Sequence, residues 1–166
     1  GMPTAFHAAA GSGQAPHIAF LAEYDALPVL GHACGHNMFG VAAAAAGIAL
    51  SRSLPAGTVH VFGTPAEEGN VRDAGGKVPM AEAGLFDSMD AVISTHAEGR
   101  TILRQQLISR ANLEMDFHGR AAHAAGAPEQ GINAQDAAAL AIMGINSLRQ
   151  HMTSDVRIHG LLTDTG

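Results

Sequence analysis

Residues 17–24 have the sequence His-Ile-Ala-Phe-Leu-Ala-Glu-Tyr, a short and nearly continuous apolar run that ends in a polar loop. Such a run is typical of an interior strand in a parallel sheet. The loop leads to residues 31–40, Gly-His-Ala-Cys-Gly-His-Asn-Met-Phe-Gly, where the only cysteine of the chain lies between two histidines. Because ligands bind at the carboxyl ends of strands in open α/β sheets, this stretch is a candidate metal site. The His-x-Cys-x-His spacing alone is a weak signal.

Two later strands are predicted to bring polar side chains to the same edge of the sheet. Residues 58–63 and 90–95 are short apolar runs; the first is followed by Glu67 and Glu68, and the second by His96. Three strands separated by helical segments would then each place a ligand-type residue at one edge. The pattern predicts an α/β fold with a metal site.

Two helices are predicted between these strands. Residues 41–52 are rich in alanine and apolar on all sides, which predicts a helix buried against the sheet, with Asn37 as its N-cap. Residues 77–83 predict a second helix, reached through the glycine-rich loop 69–76. That loop lacks the Gly-Lys-Ser/Thr ending of a phosphate-binding loop.

The pattern changes near residue 105, so two domains are predicted, 1–105 and 106–166. Apolar and polar residues alternate over 113–118, and again over 156–162, which is typical of strands with one exposed face. Residues 133–150 between them carry an apolar helical stripe. This second domain is predicted to be a β-α-β unit whose sheet edges recruit another chain.

Composition excludes several classes of protein. Among 166 residues, 47% are hydrophobic and 14% are charged, and no apolar run approaches eighteen residues, so a globular protein with no membrane partner is expected. The net charge of -6, with nine scattered Lys and Arg residues, argues against a nucleic-acid partner. A single cysteine cannot form an internal disulfide, which favours a cytoplasmic location. Gly1 before Met2 resembles a cloning remnant.

The candidate ligands suggest a reaction. Cys34, His36, Glu68 and His96 would supply most of the ligands of two close metal ions. Glu67 faces the opposite side of an extended chain from its neighbour, so it is free to act as a general base. A bound ion lowers the pKa of water to about 7, and a nearby carboxylate then takes the proton. This arrangement suits metal-assisted hydrolysis.

Four motifs together resemble a known family. Residues 24–28 (Tyr-Asp-Ala-Leu-Pro), 31–37 (Gly-His-Ala-Cys-Gly-His-Asn), 65–69 (Pro-Ala-Glu-Glu-Gly) and 119–124 (Gly-Arg-Ala-Ala-His-Ala) resemble successive motifs of the aminoacylase and glutamate carboxypeptidase family of di-metal metallopeptidases. The match is nearest to the amidohydrolase branch, which contains hippurate and aminobenzoyl-glutamate hydrolases. It covers nearly the whole chain, with the motifs in the same order and at comparable gaps.

The resemblance implies a fold, an activity and cofactors. The fold would be a parallel-type α/β catalytic domain of phosphorylase/hydrolase-like architecture, interrupted by a smaller α+β, ferredoxin-like lid that forms a homodimer. The activity would be hydrolysis of the amide bond of N-acyl amino acids or small peptides. The cofactors would be two divalent metal ions, zinc or manganese, with cobalt or nickel as alternatives.

The resemblance also assigns roles to residues of the catalytic part. Cys34 and His36 match the ligand pair of the Cys-Gly-His motif, and His96 matches the next ligand. Glu67 matches the catalytic base, and Glu68 matches a metal-binding carboxylate.

Two more residues match functional positions of the family. Asp25 matches a supporting aspartate that holds a metal-binding imidazole in the correct tautomer. His123 matches a histidine of the lid that approaches the scissile carbonyl, often from the partner subunit, and can polarise the developing oxyanion.

The sequence departs from the family at several points. Family members have a helical segment before this stretch, and after the lid they have further strands and a final histidine ligand, so the chain is expected to be truncated. Many relatives carry aspartate where Asn37 stands. At most one tightly held ion, very weak hydrolysis and an oligomer formed through the second domain are therefore expected.

Two alternatives stay open. The first is a non-catalytic truncated fragment that acts only as a dimerising, metal-poor module. The second is a cysteine hydrolase in which Cys34 is the nucleophile, paired with His36 or His32.

Overall fold

The structure is a computed structural model, and it describes residues 2–69, 74–104 and 109–164. The chain divides into two compact units, Gly1–Ile102 and Leu103–Gly166.

Two features expected from the sequence lie at least partly beyond the described ranges. The centre of the glycine-rich loop, residues 70–73, is one of them. The predicted domain boundary between residues 105 and 106 is the other.

The first unit contains a four-stranded mixed sheet. Its strands are β1 (Phe6–Gly11), β2 (His17–Glu23), β3 (Thr58–Thr64) and β4 (Ala91–Ser94). They lie in the order β1-β3-β2-β4, with β2 parallel to both β3 and β4 and with β1 antiparallel to β3. The three predicted strands and the α/β fold are confirmed, but the antiparallel edge strand β1 makes the sheet mixed, where an all-parallel arrangement was expected.

Strand β1 has no signal in the sequence, because long-range contacts hold it. All six of its residues are exposed, and its backbone pairs with β3 from Phe6 opposite Gly63 to Gly11 opposite Thr58. The Phe6 ring covers Gly63 so closely that a Cβ there would lie 2.1 Å from the ring. A strand stabilised by its neighbour in this way needs no apolar alternation of its own.

Two helices connect the strands: α1 (His36–Ser53) lies between β2 and β3 in the chain, and α2 (Lys77–Glu82) lies between β3 and β4. Helix α1 packs one face on β2 and β3, where a Cβ at Gly47 would lie 2.5 Å from Val61 Cγ2. The helix is therefore buried against the sheet as predicted, but on one side only, because its other face is exposed at Met38, Val41 and Ile48. A helix on the outer face of a single sheet contacts protein on one side only.

Helix α1 also starts earlier than expected. Its N-cap is Gly35, which has a left-handed backbone (φ 87°) and forms no side-chain capping hydrogen bond. Asn37 lies inside the first turn of the helix. The predicted capping role of Asn37 is therefore wrong. Because glycine adopts a positive φ without steric cost, the chain turns sharply there and makes His36 the first helical residue.

The opposite face of the sheet carries the core. Ala19, Leu21, Phe62 and Met80 are buried together, with Met2, Phe86 and Met89 packed against them. Met80 belongs to α2, so this packing fixes the short helix over the sheet. The position of α2 matters for the site, because its first residue is Lys77.

The described part of the second unit contains one longer helix, α3 (Ala134–Leu148), with single 3-10 turns at Pro128–Gln130 and Arg149–His151. The Asn133 side chain caps α3 by accepting hydrogen bonds from the backbone N–H groups of Gln135 (3.0 Å) and Asp136 (3.3 Å). This helix was predicted.

The two strands predicted beside α3 are wrong. Residues 113–118 and 156–162 form no strand, and all of the former are exposed. Alternation predicts a strand only where a neighbour can pair with its backbone. Within the described part of the second unit, the only isolated backbone bridge joins Arg120 to Ile132. The β-α-β arrangement is therefore not formed, and a ferredoxin-like lid stays a prediction.

No helix in the described ranges combines the length and the apolar character that crossing a bilayer requires.

Candidate metal centre

The loop after β2 forms a turn that brings two ligand-type residues together. A two-way backbone pairing between Leu27 and Gly31 (N···O 2.9 Å in both directions) closes the first part of the loop. Cys34 lies in the following turn, and His36 begins α1. The left-handed Gly35 between the two residues lets both side chains face one point.

Three ligand atoms converge at this end of the sheet. Those of Cys34, His36 and His96 all lie within 4.8 Å of one another, and Cys34 Sγ is 3.4 Å from His96 Nε2. His96 follows β4, which lies beside β2, so the carboxyl ends of two neighbouring parallel strands build the cluster. One thiol and two imidazoles suit a borderline-soft divalent ion such as zinc.

Glu68 borders the cluster with an oxygen that lacks a partner. Its Oε1 is buried and accepts no hydrogen bond from the described residues, although His36 Nε2 lies 3.6 Å away. A buried carboxylate oxygen without a donor is costly unless a cation or water satisfies it. This orphaned oxygen beside a thiol and two imidazoles fits a bound metal ion.

Asp25 links the imidazole to the glutamate loop. Its Oδ1 lies 2.9 Å from His36 Nδ1, and its Oδ2 accepts a hydrogen bond from the backbone N–H of Glu68 (3.0 Å). Burial opposes ionisation of Asp25, but the backbone N–H groups of Glu68 and Glu67 and the His36 ring outweigh it and lower the pKa of the carboxyl. Asp25 is therefore an anion that accepts on both oxygens.

Glu23, at the end of β2, is a site residue that sequence reasoning missed. It is 5% exposed, and its Oε2 lies 3.0 Å from His36 Nε2. Two carboxylate oxygens thus face the same ring nitrogen, which adds to the negative environment that a cation would neutralise. A charged residue at the carboxyl end of a buried strand was the available signal.

Lys77 is the second residue that was missed. Its Nζ lies 2.5 Å from Glu23 Oε1 and 3.0 Å from Glu67 Oε2, and its backbone N–H donates to Glu67 Oε1 (3.0 Å). Burial disfavours the charged amine, but the hydrogen bond with Glu23 and the charges of Glu67 and Glu23 outweigh it and raise the pKa of Lys77. Glu67 therefore has both carboxylate oxygens hydrogen-bonded, unlike Glu68.

The Cys34 thiol is poorly suited to be a nucleophile without a metal ion. Burial, the adjacent Glu68 carboxylate and the charges of Glu23 and Asp25 raise its pKa. Both nitrogens of His36 face carboxylates, so this ring is not positioned as a base for the thiol. These contacts argue against a cysteine hydrolase that pairs Cys34 with His36. In this environment a bound cation would stabilise the thiolate.

An open groove of about 290 Å³ lies beside the candidate metal ligands. Tyr24, Asp25, Pro28, Pro65 and Glu68 are among the residues that line it. The groove has room for part of a small substrate next to the Glu68 carboxylate.

His123 belongs to the second unit. Its Nδ1 accepts hydrogen bonds from the backbone N–H groups of Ala125 (3.2 Å) and Gly126 (3.0 Å). It lines an open groove of about 520 Å³ together with Arg120 and Gln130. Since Nδ1 is an acceptor, the neutral ring carries its proton on Nε2, which can donate to a carbonyl oxygen.

Comparison with known proteins gives concordant matches. The profile of peptidase family M20/M25/M40 matches residues 19–159. Xaa-Arg dipeptidase of Mus musculus is 40% identical over an alignment of 178 positions, which covers 100% of this chain and 40% of that protein. The Homo sapiens Xaa-Arg dipeptidase is 39% identical, over 90% of this chain and 35% of that protein.

A bacterial protein is similar to the same degree. One of the p-aminobenzoyl-glutamate hydrolase subunits of Escherichia coli (strain K12) is 37% identical, over 99% of this chain and 38% of that protein. The chain thus spans about two fifths of the length of these relatives.

Proposed function

This chain belongs to peptidase family M20/M25/M40, and we propose that it forms part of a metal-dependent hydrolase that cleaves the amide bond of dipeptides or N-acyl amino acids. One observation carries the proposal. The ligand atoms of Cys34, His36 and His96 meet within 4.8 Å of one another, and the orphaned Oε1 of Glu68 lies beside them.

Cys34, His36, Glu68 and His96 are the proposed metal ligands. Thiolate and imidazole donors favour zinc, and the carboxylate also suits manganese. Members of this family are typically di-metal enzymes, so a second ion is proposed to share this ligand set. A bound divalent ion would lower the pKa of water and polarise the substrate carbonyl.

Glu67 is the proposed general base. It would take a proton from the attacking water on a carboxylate oxygen and return it to the departing amine. Lys77 holds both of its oxygens, but each carboxylate oxygen has a second lone pair that stays available for this proton.

Asp25 and His123 have proposed supporting roles. Asp25 orients the His36 ring through its contact with Nδ1. His123 would donate from Nε2 to the substrate carbonyl oxygen.

We also propose that the second unit forms a homodimer, because it exposes Leu113, Leu140 and Met143. Light scattering tests this association.

The names of the relatives suggest the substrate class. One is called an Xaa-Arg dipeptidase and another a p-aminobenzoyl-glutamate hydrolase. In both named substrates, an amide bond joins the nitrogen of a C-terminal amino acid, arginine or glutamate, to an acyl group. We propose substrates with a free amino-acid carboxylate on the leaving side.

Chelation and metal re-addition test the proposal. Bound metal is measured by elemental analysis before chelation, after chelation and after re-addition of zinc or manganese. Hydrolysis of Xaa-Arg dipeptides and aminobenzoyl-glutamate is measured in the same samples, both for this chain and for one extended to the length of the relatives. Metal-dependent hydrolysis by the extended chain is expected. Hydrolysis that survives complete metal removal contradicts the proposal, and metal-free, inactive protein throughout favours the non-catalytic alternative.

A further inference from the structure

Lys77 is the only lysine in the chain, and its ammonium contacts two buried carboxylates, those of Glu23 and Glu67. We propose that Lys77 gives the adjacent glutamates different roles by keeping Glu67 off the metal, which leaves Glu68 as the ligand. This is a positioning role, and it rests on the proposed function above.

The two glutamates differ in what their oxygens contact. Glu67 Oε2 faces Lys77 Nζ at 3.0 Å, and Glu67 Oε1 accepts the Lys77 backbone N–H at 3.0 Å. Glu68 Oε1 has no donor among the described residues. A carboxylate that already accepts two hydrogen bonds, one of them from an ammonium, must lose hydrogen-bond energy when it binds a metal. A carboxylate whose oxygen is unsatisfied loses none at that oxygen.

Local backbone geometry turns the two side chains apart. Ala66, just before the pair, has a positive φ of 57°, so the chain leaves β3 through a sharp turn and is not extended there. The backbone N–H of Glu68 is tied to Asp25 Oδ2 (3.0 Å). Glu67 therefore points towards α2, and Glu68 points towards His36.

Charge supports the same assignment. Glu23 and Glu67 both contact the Lys77 ammonium. Without that ammonium, two nearby buried carboxylates would repel each other and form a natural cation site, so a metal ion could be drawn to Glu67. The Lys77 ammonium thus occupies the position at which a metal ion would otherwise bind Glu67.

Core packing fixes Lys77 in this position. Met80, one turn further along α2, is buried against Phe62 and its neighbours. Gly76 approaches the backbone of Pro65 so closely that a Cβ there would lie 2.1 Å from the Pro65 oxygen. The lysine therefore starts from a rigid backbone position beside the glutamate loop.

A double-mutant cycle read out by zinc affinity tests the proposal. Zinc dissociation constants are measured for the unmodified chain, E67Q, K77M and the K77M/E67Q pair. In the presence of Lys77, E67Q should change the dissociation constant by less than about threefold, because Glu67 is not a ligand. In the K77M background Glu67 becomes free to bind, so E67Q should weaken zinc binding by about tenfold or more. K77R keeps the cation, and E67Q should have little effect in that background.

Chemical modification gives a second measurement on folded protein, in case K77M folds poorly. Acetylation of the single lysine removes its charge, whereas reductive methylation keeps it, and both reagents also modify the N-terminus. The E67Q effect on zinc affinity should appear after acetylation and stay small after methylation.

The outcomes separate this inference from the proposed function. If zinc binds and E67Q has the same effect with and without the Lys77 charge, the positioning role is wrong while the metal site stands. If none of the proteins binds zinc, the proposed function fails and this inference fails with it.

Discussion

The Nδ1 atom of His36 lies 2.9 Å from Oδ1 of Asp25, and Nε2 is the ring nitrogen on the side of Glu23 and of the candidate ligand Glu68. An ionised carboxylate can only accept, so Nδ1 carries a proton in this contact. Asp25 accepts a second hydrogen bond from the backbone of Glu68, which is itself a proposed ligand. One aspartate thus fixes two parts of the site.

Replacement of Asp25 by asparagine should therefore weaken metal binding. An asparagine side chain has only one acceptor oxygen, so it can satisfy either the His36 ring or the Glu68 N–H but not both. We expect D25N to raise the zinc dissociation constant by about 10- to 100-fold, the range typical of residues that orient ligands. Isothermal titration calorimetry measures it.

Asp90 provides a matched control for this substitution. It also accepts a backbone hydrogen bond, from His17 (2.7 Å), but at the opposite end of β2. D90N should leave zinc affinity unchanged. Equal losses in D25N and D90N would show that general destabilisation, and not ligand orientation, is the cause.

Glu67 and Glu68 should respond differently to the same substitution. E67Q should retain metal and lose hydrolysis by about 100-fold or more, the scale of general-base removal. E68Q should lose metal, because it removes the charge of the carboxylate whose Oε1 faces His36. Elemental analysis and a hydrolysis assay on the extended chain measure the two effects.

Glu82, an exposed residue at the end of α2, is the control for the glutamate pair. E82Q should change neither metal content nor turnover. Equal metal loss in E67Q and E68Q would contradict the assignment of base and ligand.

Cys34 should be protected from alkylation by bound metal. The thiol pKa is raised by burial and by Glu68, so the metal-free protein needs mildly alkaline conditions to react. Under those conditions, iodoacetamide should label the zinc-loaded chain more slowly than the chelated chain, because a coordinated sulfur is not available as a nucleophile. Mass spectrometry follows the single thiol. Identical rates in the two states would rule out coordination by Cys34.

The sequence was sufficient to predict the strands that carry the site, because their signals are local. Strands β2, β3 and β4 are short apolar runs, and each is followed by a ligand-type residue. The antiparallel β1 was missed, because its exposed residues are held by pairing with β3 and by a ring contact between Phe6 and Tyr24, whose centroids are 5.9 Å apart. Neither contact leaves a pattern within the strand itself.

The site was predictable to the extent that motifs define it. Cys34, His36 and His96 were predicted and do meet. The contact of Lys77 with Glu23 joins residues 54 positions apart, so no spacing rule could reveal it. The strands expected around α3 failed for the same reason, since alternation shows a face but not the neighbour that must pair with it.

Gly76 should not tolerate a side chain. Its φ of -50° suits any residue, but a Cβ would lie 2.1 Å from the backbone oxygen of Pro65. We expect G76A to lower the free energy of unfolding by about 1–3 kcal/mol, as is usual for overpacking. Urea denaturation measures it. A Cβ added at Gly99 would have none of the described atoms within 4 Å, so G99A should be neutral, and equal losses in both variants would contradict the steric explanation.

A row of three histidines across the sheet should make stability depend on pH. His60 lies between His7, with Nε2 of His7 2.9 Å from Nδ1 of His60, and His17, with Nδ1 of His17 3.0 Å from Nε2 of His60. Burial, and then the charges of His7 and His17, lower the pKa of His60 below its ordinary value of 6.5. Asp90, which accepts the His17 backbone N–H, is an acidic group at this end of the sheet.

The sign of the pH dependence follows from that shift. Below about pH 6.5 the unfolded chain binds a proton at His60 that the folded chain does not yet bind, so the free energy of unfolding falls as the pH is lowered. The loss levels off once the pH is below the folded pKa. Urea unfolding at about pH 7.5, 6.5 and 5.5 should show this decrease, and H60Q, which cannot titrate, should reduce it. H118Q, at an exposed position in the second unit, should keep it. A decrease of the same size in H60Q would show that other groups cause the acid sensitivity.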